Sequence, residues 1–164
     1  ILTLAVELDP RYNSAVYELA NELYNAGTAA PTNPNTIKSM EVLRDFLQIN
    51  PNSENILSLL GRILLQTKYT LDAMEIYQKL LVFDPQSAEN HYNLGICYFH
   101  KRDYESAKKE FNKAIELNPY NADYYYNIAL IYDLLEKKQK ARKLLLKGLE
   151  INPNNEKIQN MLNK

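Results

Sequence analysis

Residues 88–121 read AENHYNLGICYFHKRDYESAKKEFNKAIELNPYN, and the organisation of the chain is clearest in this stretch. Apolar side chains recur every three or four residues on both sides of the short polar segment 101–103. Such spacing predicts two amphipathic helices joined by a turn. Pro119 stands near the end of the stretch, and a proline disfavours helical backbone at the residue before it. The second helix is therefore predicted to end just before Pro119.

The same boundary recurs along the chain. Five prolines follow an apolar residue and then Asp or Asn, and the last four of them are spaced 34 residues apart, whereas the first gap is 41. A fixed period of this length is typical of repeats of helical hairpins, which bury their apolar faces only by stacking on neighbouring hairpins. Good N-cap residues for the next helix follow three of the prolines, at Ser53, Ser87 and Asn121. The five prolines are Pro10, Pro51, Pro85, Pro119 and Pro153.

The composition of the chain argues against several classes of function. The 164 residues carry a net charge of −1, which is not typical of a general nucleic-acid binder. Only 4 glycines leave little room for phosphate-binding loops, and the single cysteine excludes an internal disulfide or a four-cysteine zinc site. The apolar runs are much shorter than the ~20 residues that a membrane-spanning helix needs.

Small and large side chains alternate at fixed spacing within 88–121, as His91-x2-Leu94-Gly95-x2-Tyr98, then Ala107-x3-Phe111, then Pro119. This pattern resembles the tetratricopeptide repeat, with His91 in the place of the leading tryptophan. The resemblance implies an all-α, right-handed superhelical solenoid of antiparallel helix-turn-helix repeats. Close helix approach is expected at one small residue per repeat. These residues are Gly61, Gly95 and Ala129.

The repeat period predicts one domain over residues 1–164. Residues 1–12 are expected to form the second helix of a truncated repeat, so the chain is expected to be a piece of a longer protein. The loop 24–37 holds a seven-residue insertion, which is either a tolerated surface insertion or a lip that shapes a binding site. The predicted units are 13–53 with this insertion, 54–87, 88–121, 122–155, and a partial capping helix at 156–164.

The resemblance implies a non-catalytic scaffold that binds a peptide or protein segment in a concave groove lined by the first helices. Asparagine and tyrosine recur there at the 34-residue spacing, although repeat symmetry in a chain rich in both residues explains this equally well. An asparagine can pair with a peptide backbone amide through both its donor and its acceptor. Three charged groove residues are expected to tune the charge preference of the site. The candidate residues are Tyr17, Asn21, Arg62, Glu89, Tyr92, Asn93, Asp123, Tyr126 and Asn127.

A run of cations without any acid lies in the last complete repeat, on a predicted second helix that belongs to the outer, convex side. A solvated helix face explains such a run, and so does docking to an acidic protein, an anionic membrane or RNA. No stacking aromatic is interleaved with the cations, which weakens the RNA alternative. The patch consists of Lys137, Lys138, Lys140, Arg142, Lys143 and Lys147.

Catalytic and metal chemistry are not predicted. His91 and His100 are nine residues apart, which places them on opposite sides of one helix, where they cannot share a metal. No nucleophile motif or Gly-rich phosphate loop is present, so no enzyme activity, cofactor or nucleic-acid partner is expected. Two alternatives stay open: self-assembly through the ends of the repeat array, and a recognition module attached to a catalytic domain outside this sequence.

Overall fold

In a computed structural model of the protein, residues 10–27 and 30–163 are described, and within these ranges every regular element is an α-helix. The predicted second helix over residues 1–12 falls mostly outside the described residues. The helices are α1 Pro10–Ala26, α2 Pro34–Ile49, α3 Glu54–Gln66, α4 Thr70–Phe83, α5 Ala88–His100, α6 Tyr104–Leu117, α7 Ala122–Leu134, α8 Lys138–Ile151 and α9 Glu156–Leu162.

The residues group into two compact units, Ile1–Val82 and Phe83–Lys164, where the sequence predicted one domain. In the first unit α1 packs on α2 and α3, and α2 also packs on α3. In the second unit α5 packs on α6, α6 on α7, α7 on α8, and α8 on α9. Each helix thus contacts mainly elements that are close in sequence, as expected of stacked helical hairpins.

The proline-marked boundaries lie where the sequence predicts them. Helices α2, α4, α6 and α8 each end two residues before a proline. At the next helix, the Ser87 hydroxyl accepts a bond from the Asn90 backbone N–H at 3.2 Å, and Asn121 Oδ1 accepts one from Asp123 N–H at 3.0 Å. Ser53 occupies the N-cap of α3 without capping it, because its hydroxyl bonds to side chains instead.

A second periodic feature lies in the turns inside the hairpins. Lys68, Arg102 and Glu136 are 34 residues apart and adopt positive φ angles of 67°, 62° and 57°. At the middle turn the Asp103 N–H bonds back to the Tyr98 carbonyl at 3.0 Å, which is the long bond of a Schellman helix end. This left-handed residue lets the chain reverse within a few residues.

In each of two hairpins, a glycine of the first helix faces a large aromatic ring of the second helix. A Cβ built on Gly95 would lie 2.6 Å from Cε1 of Phe111, whose side chain is fully buried. A Cβ on Gly61 would lie 3.1 Å from Cζ of the buried Tyr77. At Gly95 the ring of the second helix therefore fills the space that a methyl group would take, whereas at Gly61 a methyl group would be in tight contact with its neighbours.

The irregular hairpin differs from its prediction. The sequence placed a loop at 24–37, but α1 continues to Ala26 and α2 begins at Pro34, so the connection is 27–33. Proline fits the first turn of a helix, where no partner for its nitrogen is needed, and the Asn33 side chain caps the Asn35 N–H at 2.9 Å. Pro10 likewise begins α1 instead of preceding a turn.

The last helix completes the core of the second unit. Ile158 of α9 is fully buried, and its Cδ1 lies 2.6 Å from the position of a Cβ on Gly148. The cluster around it contains Ala122, Ala129, Ala141 and Leu145. A helix is thus present where the sequence predicted a partial one at 156–164.

Two glycine-to-alanine substitutions compare a contact with a rigid aromatic ring and a contact with the end of a flexible side chain. In Gly95→Ala the new methyl group overlaps the buried Phe111 ring; overpacking costs about 1–3 kcal/mol, against a gain in helix propensity of about 1 kcal/mol. We expect a net loss of up to about 2 kcal/mol in the free energy of unfolding, measured by urea denaturation.

Gly148→Ala is the matched control. Its methyl group meets only the end of the Ile158 side chain, which can rotate away, so the free energy of unfolding should change by less than about 0.5 kcal/mol or rise slightly. Equal destabilisation by the two substitutions would contradict the ring-against-glycine packing.

Candidate functional site

Tyr92 and Asn127 join the first helices α5 and α7 in the second unit. The Asn127 side-chain amide donates to the Tyr92 hydroxyl at 3.0 Å and to the Asp123 carbonyl at 2.9 Å. A side-chain amide has two donors, so both donors of Asn127 are engaged within the protein. Asn127 keeps only its carbonyl oxygen for a ligand.

The Tyr92 ring is held in a cluster of aromatic side chains. Its centroid lies 4.8 Å from that of Tyr124 and 5.7 Å from that of Phe111. Burial, together with the negative charge of Asp123, raises the pKa of Tyr92 to about 12. The side chain is therefore a fixed part of the surface and stays neutral at physiological pH.

Beside Tyr92 lies a depression of about 400 Å³. Asn93 is half-buried in its wall, and its side-chain amide has no hydrogen-bond partner anywhere in residues 10–27 and 30–163. Its donors and its acceptor are therefore all available to a ligand. The depression is lined by Ala88, Glu89, Tyr92, Asn93, Asn118, Asn121 and Tyr124.

Two carboxylates give this region a negative potential. Glu89 is exposed at the depression, and Asp123 is half-buried, with Oδ1 accepting from the Asn155 amide at 3.4 Å. Burial raises the pKa of Tyr124, and the charges of Glu89 and Asp123 raise it further. A ligand that brings hydrogen-bond donors or a positive charge is favoured here over an anion.

The structure separates Tyr126 from this depression. Tyr126 packs against the cluster around Ile158 and lines a different depression, of about 680 Å³, with Lys138, Arg142 and Lys157 among its other walls. The predicted groove residues of the second unit therefore divide between two places.

Three predicted residues belong to the first unit. Arg62 donates to Asn21 Oδ1 at 3.2 Å, so these side chains link α3 to α1. Tyr17 is half-buried on α1. Like Tyr92 and Asn127, Asn21 and Arg62 hold two first helices together.

Sequence reasoning missed Tyr124 and the inter-helix asparagines Asn118 and Asn121 as walls of the depression. Tyr124 belongs to a run of three tyrosines, and helical spacing assigned it to neither the core nor the groove. Their position was the available signal, since Asn118 and Asn121 flank Pro119 and Tyr124 follows shortly after, where the chain passes close to the start of the preceding first helix.

All six residues of the cationic patch are exposed. None of them forms an ion pair with a carboxylate in the part of the chain that the structure describes. The Lys140 ammonium lies 5.7 Å from the centroid of the Tyr132 ring, and the Lys147 ammonium lies 5.1 Å from that of Tyr125. These cation–π contacts occupy the nearest aromatic rings.

The histidine and cysteine residues of α5 have structural environments. His91 Nδ1 lies 2.7 Å from Glu110 Oε2, and Nε2 lies 3.1 Å from the Pro85 carbonyl oxygen. Cys97 is fully buried, and burial raises the pKa of its thiol to about 12. Among the described residues, no three of His, Cys, Asp or Glu are grouped as metal ligands, and no helix is long and apolar enough to cross a membrane.

Comparison with known proteins agrees with this geometry. Two tetratricopeptide repeat models match the chain, one at residues 88–121 and the other at 110–143. Together these matches identify tetratricopeptide repeats over residues 88–143 of the chain. The search of curated protein sequences found no match.

Solved tetratricopeptide structures are similar over most of the chain. MamA has 28% identity and a TM-score of 0.72, with 78% of this chain and 75% of that one covered. YrrB, described as a tetratricopeptide protein with an unusual peptide-binding site, has 21% identity and a TM-score of 0.78, with 98% and 79% covered. PilF of Pseudomonas aeruginosa has 23% identity and a TM-score of 0.75, with 92% and 65% covered.

These similarities confirm the predicted fold class, an all-α fold of tetratricopeptide-like hairpins. The tetratricopeptide fold is a protein–protein interaction scaffold, and the chain shares it. The identity of a bound partner does not follow from the fold.

The raised pKa of Tyr92 has a measurable consequence. A tyrosine whose pKa is raised by folding stabilises the folded state below its unfolded value near pH 10, and this contribution is lost as the pH rises towards about 12. Tyrosinate absorbance of the native protein, minus that of Tyr92→Phe, should titrate with a midpoint near pH 12. A difference curve centred near pH 10 would contradict the buried position of this hydroxyl.

Proposed function

We propose that this tetratricopeptide protein is a non-catalytic scaffold that binds an extended peptide segment on the first-helix surface of its second unit. The observation that carries the proposal is the free side-chain amide of Asn93 in the wall of the depression beside Tyr92. A half-buried amide without a partner loses part of its hydration, and a ligand that pairs with it recovers that free energy.

The chemistry of the depression fits a peptide backbone. Asn93 can donate to a peptide carbonyl and accept from a peptide N–H at the same time. Tyr92 and Tyr124 supply rigid aromatic walls for a side chain that enters between the repeats. Asn127 is proposed to contribute in another way, since it fixes Tyr92 through the 3.0 Å hydrogen bond.

The charges favour a neutral or basic segment. Glu89 and Asp123 lie at the depression or beside its tyrosines, and no Lys or Arg is among its lining residues. In co-chaperones of this family, a clamp of basic residues and asparagines grips an acidic C-terminal tail, and Asp123 stands here at one of the matching basic positions. An acidic tail is therefore a poor candidate.

The similarity to YrrB supports the proposal at the level of the fold. That protein is described as having an unusual peptide-binding site, and its helices superpose on this chain with a TM-score of 0.78. Peptide binding is thus compatible with this arrangement of hairpins. The residues proposed here come from the depression itself.

The test begins with peptides selected from a random phage-displayed library on the immobilised protein. Affinities of the selected peptides are then measured by fluorescence anisotropy for the unmodified chain and for Asn93→Ala. We expect about 3- to 10-fold weaker binding by Asn93→Ala, since one or two hydrogen bonds of about 0.5–1.5 kcal/mol each are lost.

Asn112→Ala is the matched control, because Asn112 is an exposed asparagine on the second helix α6, away from the depression. It should bind the selected peptides as tightly as the unmodified chain. If Asn93→Ala and Asn112→Ala bound every selected peptide equally well, or if no peptide were selected, the proposed site would be wrong.

A further inference from the structure

Helices α6 and α8 are second helices of consecutive repeats, so residues 34 apart occupy equivalent positions. The two helices keep cations at the same three positions, Lys108, Lys109 and Lys113 in α6, and Arg142, Lys143 and Lys147 in α8. Their acids differ. Asp103, Glu105 and Glu110 of the earlier repeat are replaced by Lys137, Gln139 and Leu144.

The two helices differ in the ion pairs that their cations form with carboxylates. In α6, Lys108 pairs with Glu105 at 2.7 Å and Lys113 pairs with Glu116 at 3.2 Å. In α8 the equivalent Arg142 and Lys147 form no ion pair within the described residues. Glu116 is retained in α8 as Glu150, but it forms no ion pair with Lys147 within the described residues, so α8 carries more unpaired positive charge than α6.

This arrangement weakens α8 locally. Asp103 caps α6 by accepting from the Ser106 N–H at 3.1 Å, whereas Lys137 at the same position of α8 makes no side-chain cap bond. Lysines at 137, 138 and 140 also place positive charge at the positive end of the helix dipole. Helix stability does not explain these cations, so an external anion is the better explanation.

Apolar side chains are exposed among the cations. Leu146 is 46% exposed, and helical spacing places it beside Arg142 and Lys143 on the surface of α8. The equivalent residue of α6 is Asn112. Leu134, 52% exposed, is the last residue of α7, and Leu135, 37% exposed, follows it in the turn that leads into α8.

We propose that the outer face of α8 is a docking surface for an anionic lipid bilayer. The headgroup region of such a bilayer offers negative charge for the cations and hydrocarbon for the exposed leucines, and an acidic peptide or RNA offers mainly the former. RNA would also require free aromatic rings, but Tyr125 and Tyr132 already contact Lys147 and Lys140. This surface is separate from the proposed peptide site, so either proposal can fail alone.

The test is co-sedimentation of the chain with vesicles of phosphatidylcholine alone or with about 30% phosphatidylserine, at low and high salt. We expect binding only to the anionic vesicles, and weaker binding as salt rises. The double variant Lys143→Glu with Lys147→Glu should bind at least about tenfold more weakly, since each cation near an anionic surface strengthens binding severalfold.

The repeat supplies a matched control. Lys109→Glu with Lys113→Glu makes the same change in net charge at the equivalent positions of α6, so it should reduce binding much less than the α8 variant. Circular dichroism verifies that both variants are folded. Equal loss in the two double variants would show a net-charge effect and overturn the proposal, as would equal binding to neutral vesicles.

A second variant tests whether the exposed Leu146 contributes to vesicle binding. Leu146→Asn installs the residue that α6 has at this position, and it should weaken vesicle binding while it leaves the charge unchanged. The protein could instead fail to bind anionic vesicles and bind a polyglutamate peptide or RNA through Lys143 and Lys147. That result would overturn the lipid proposal in favour of those partners.

Discussion

The structure depends on how closely the two helices of a hairpin approach. At Gly95 the approach is so close that Phe111 occupies the space of a methyl group, and at Gly61 a methyl group would lie in tight contact with Tyr77. Apolar contact of this kind is the main favourable term of folding, and it requires packing at the density of a protein interior. The prolines, the caps and the left-handed turn residues have one common effect: they bring the next helix to the place where this contact forms.

Because the first helices pack closely, some of their polar side chains bond to each other and others remain free to bind a ligand. Asn21 and Arg62 bond to each other in the first unit, and Tyr92 and Asn127 do so in the second. These bonds link neighbouring first helices, and in the second unit they leave only the carbonyl oxygen of Asn127 for a ligand. Asn93 differs because it has no such partner, and the proposed peptide site follows from that difference.

The periodic parts of the fold could be predicted from the sequence because they rest on backbone rules. Proline ends helices at a fixed spacing, and the motif around Gly95 resembles a known repeat. The turn residues Lys68, Arg102 and Glu136 could not be predicted, since none is the glycine that usually signals a left-handed backbone. The loop at 24–37 was predicted too long, because Pro34 begins a helix as readily as it interrupts one. For the site, the residue types were predictable, but the bond between Asn127 and Tyr92 depends on the distance between two helices.

The side-chain amide of Asn127 is committed within the protein, whereas that of Asn93 is free. Hydrogen exchange of the two side-chain amides, followed by nuclear magnetic resonance after assignment, measures this directly. The structure predicts slow exchange for the Asn127 amide protons, which are bonded to Tyr92 and Asp123, and exchange near the rate of an exposed amide for Asn93. Equal exchange rates, or protection of the Asn93 amide in the absence of a peptide, would contradict this difference between the two asparagines.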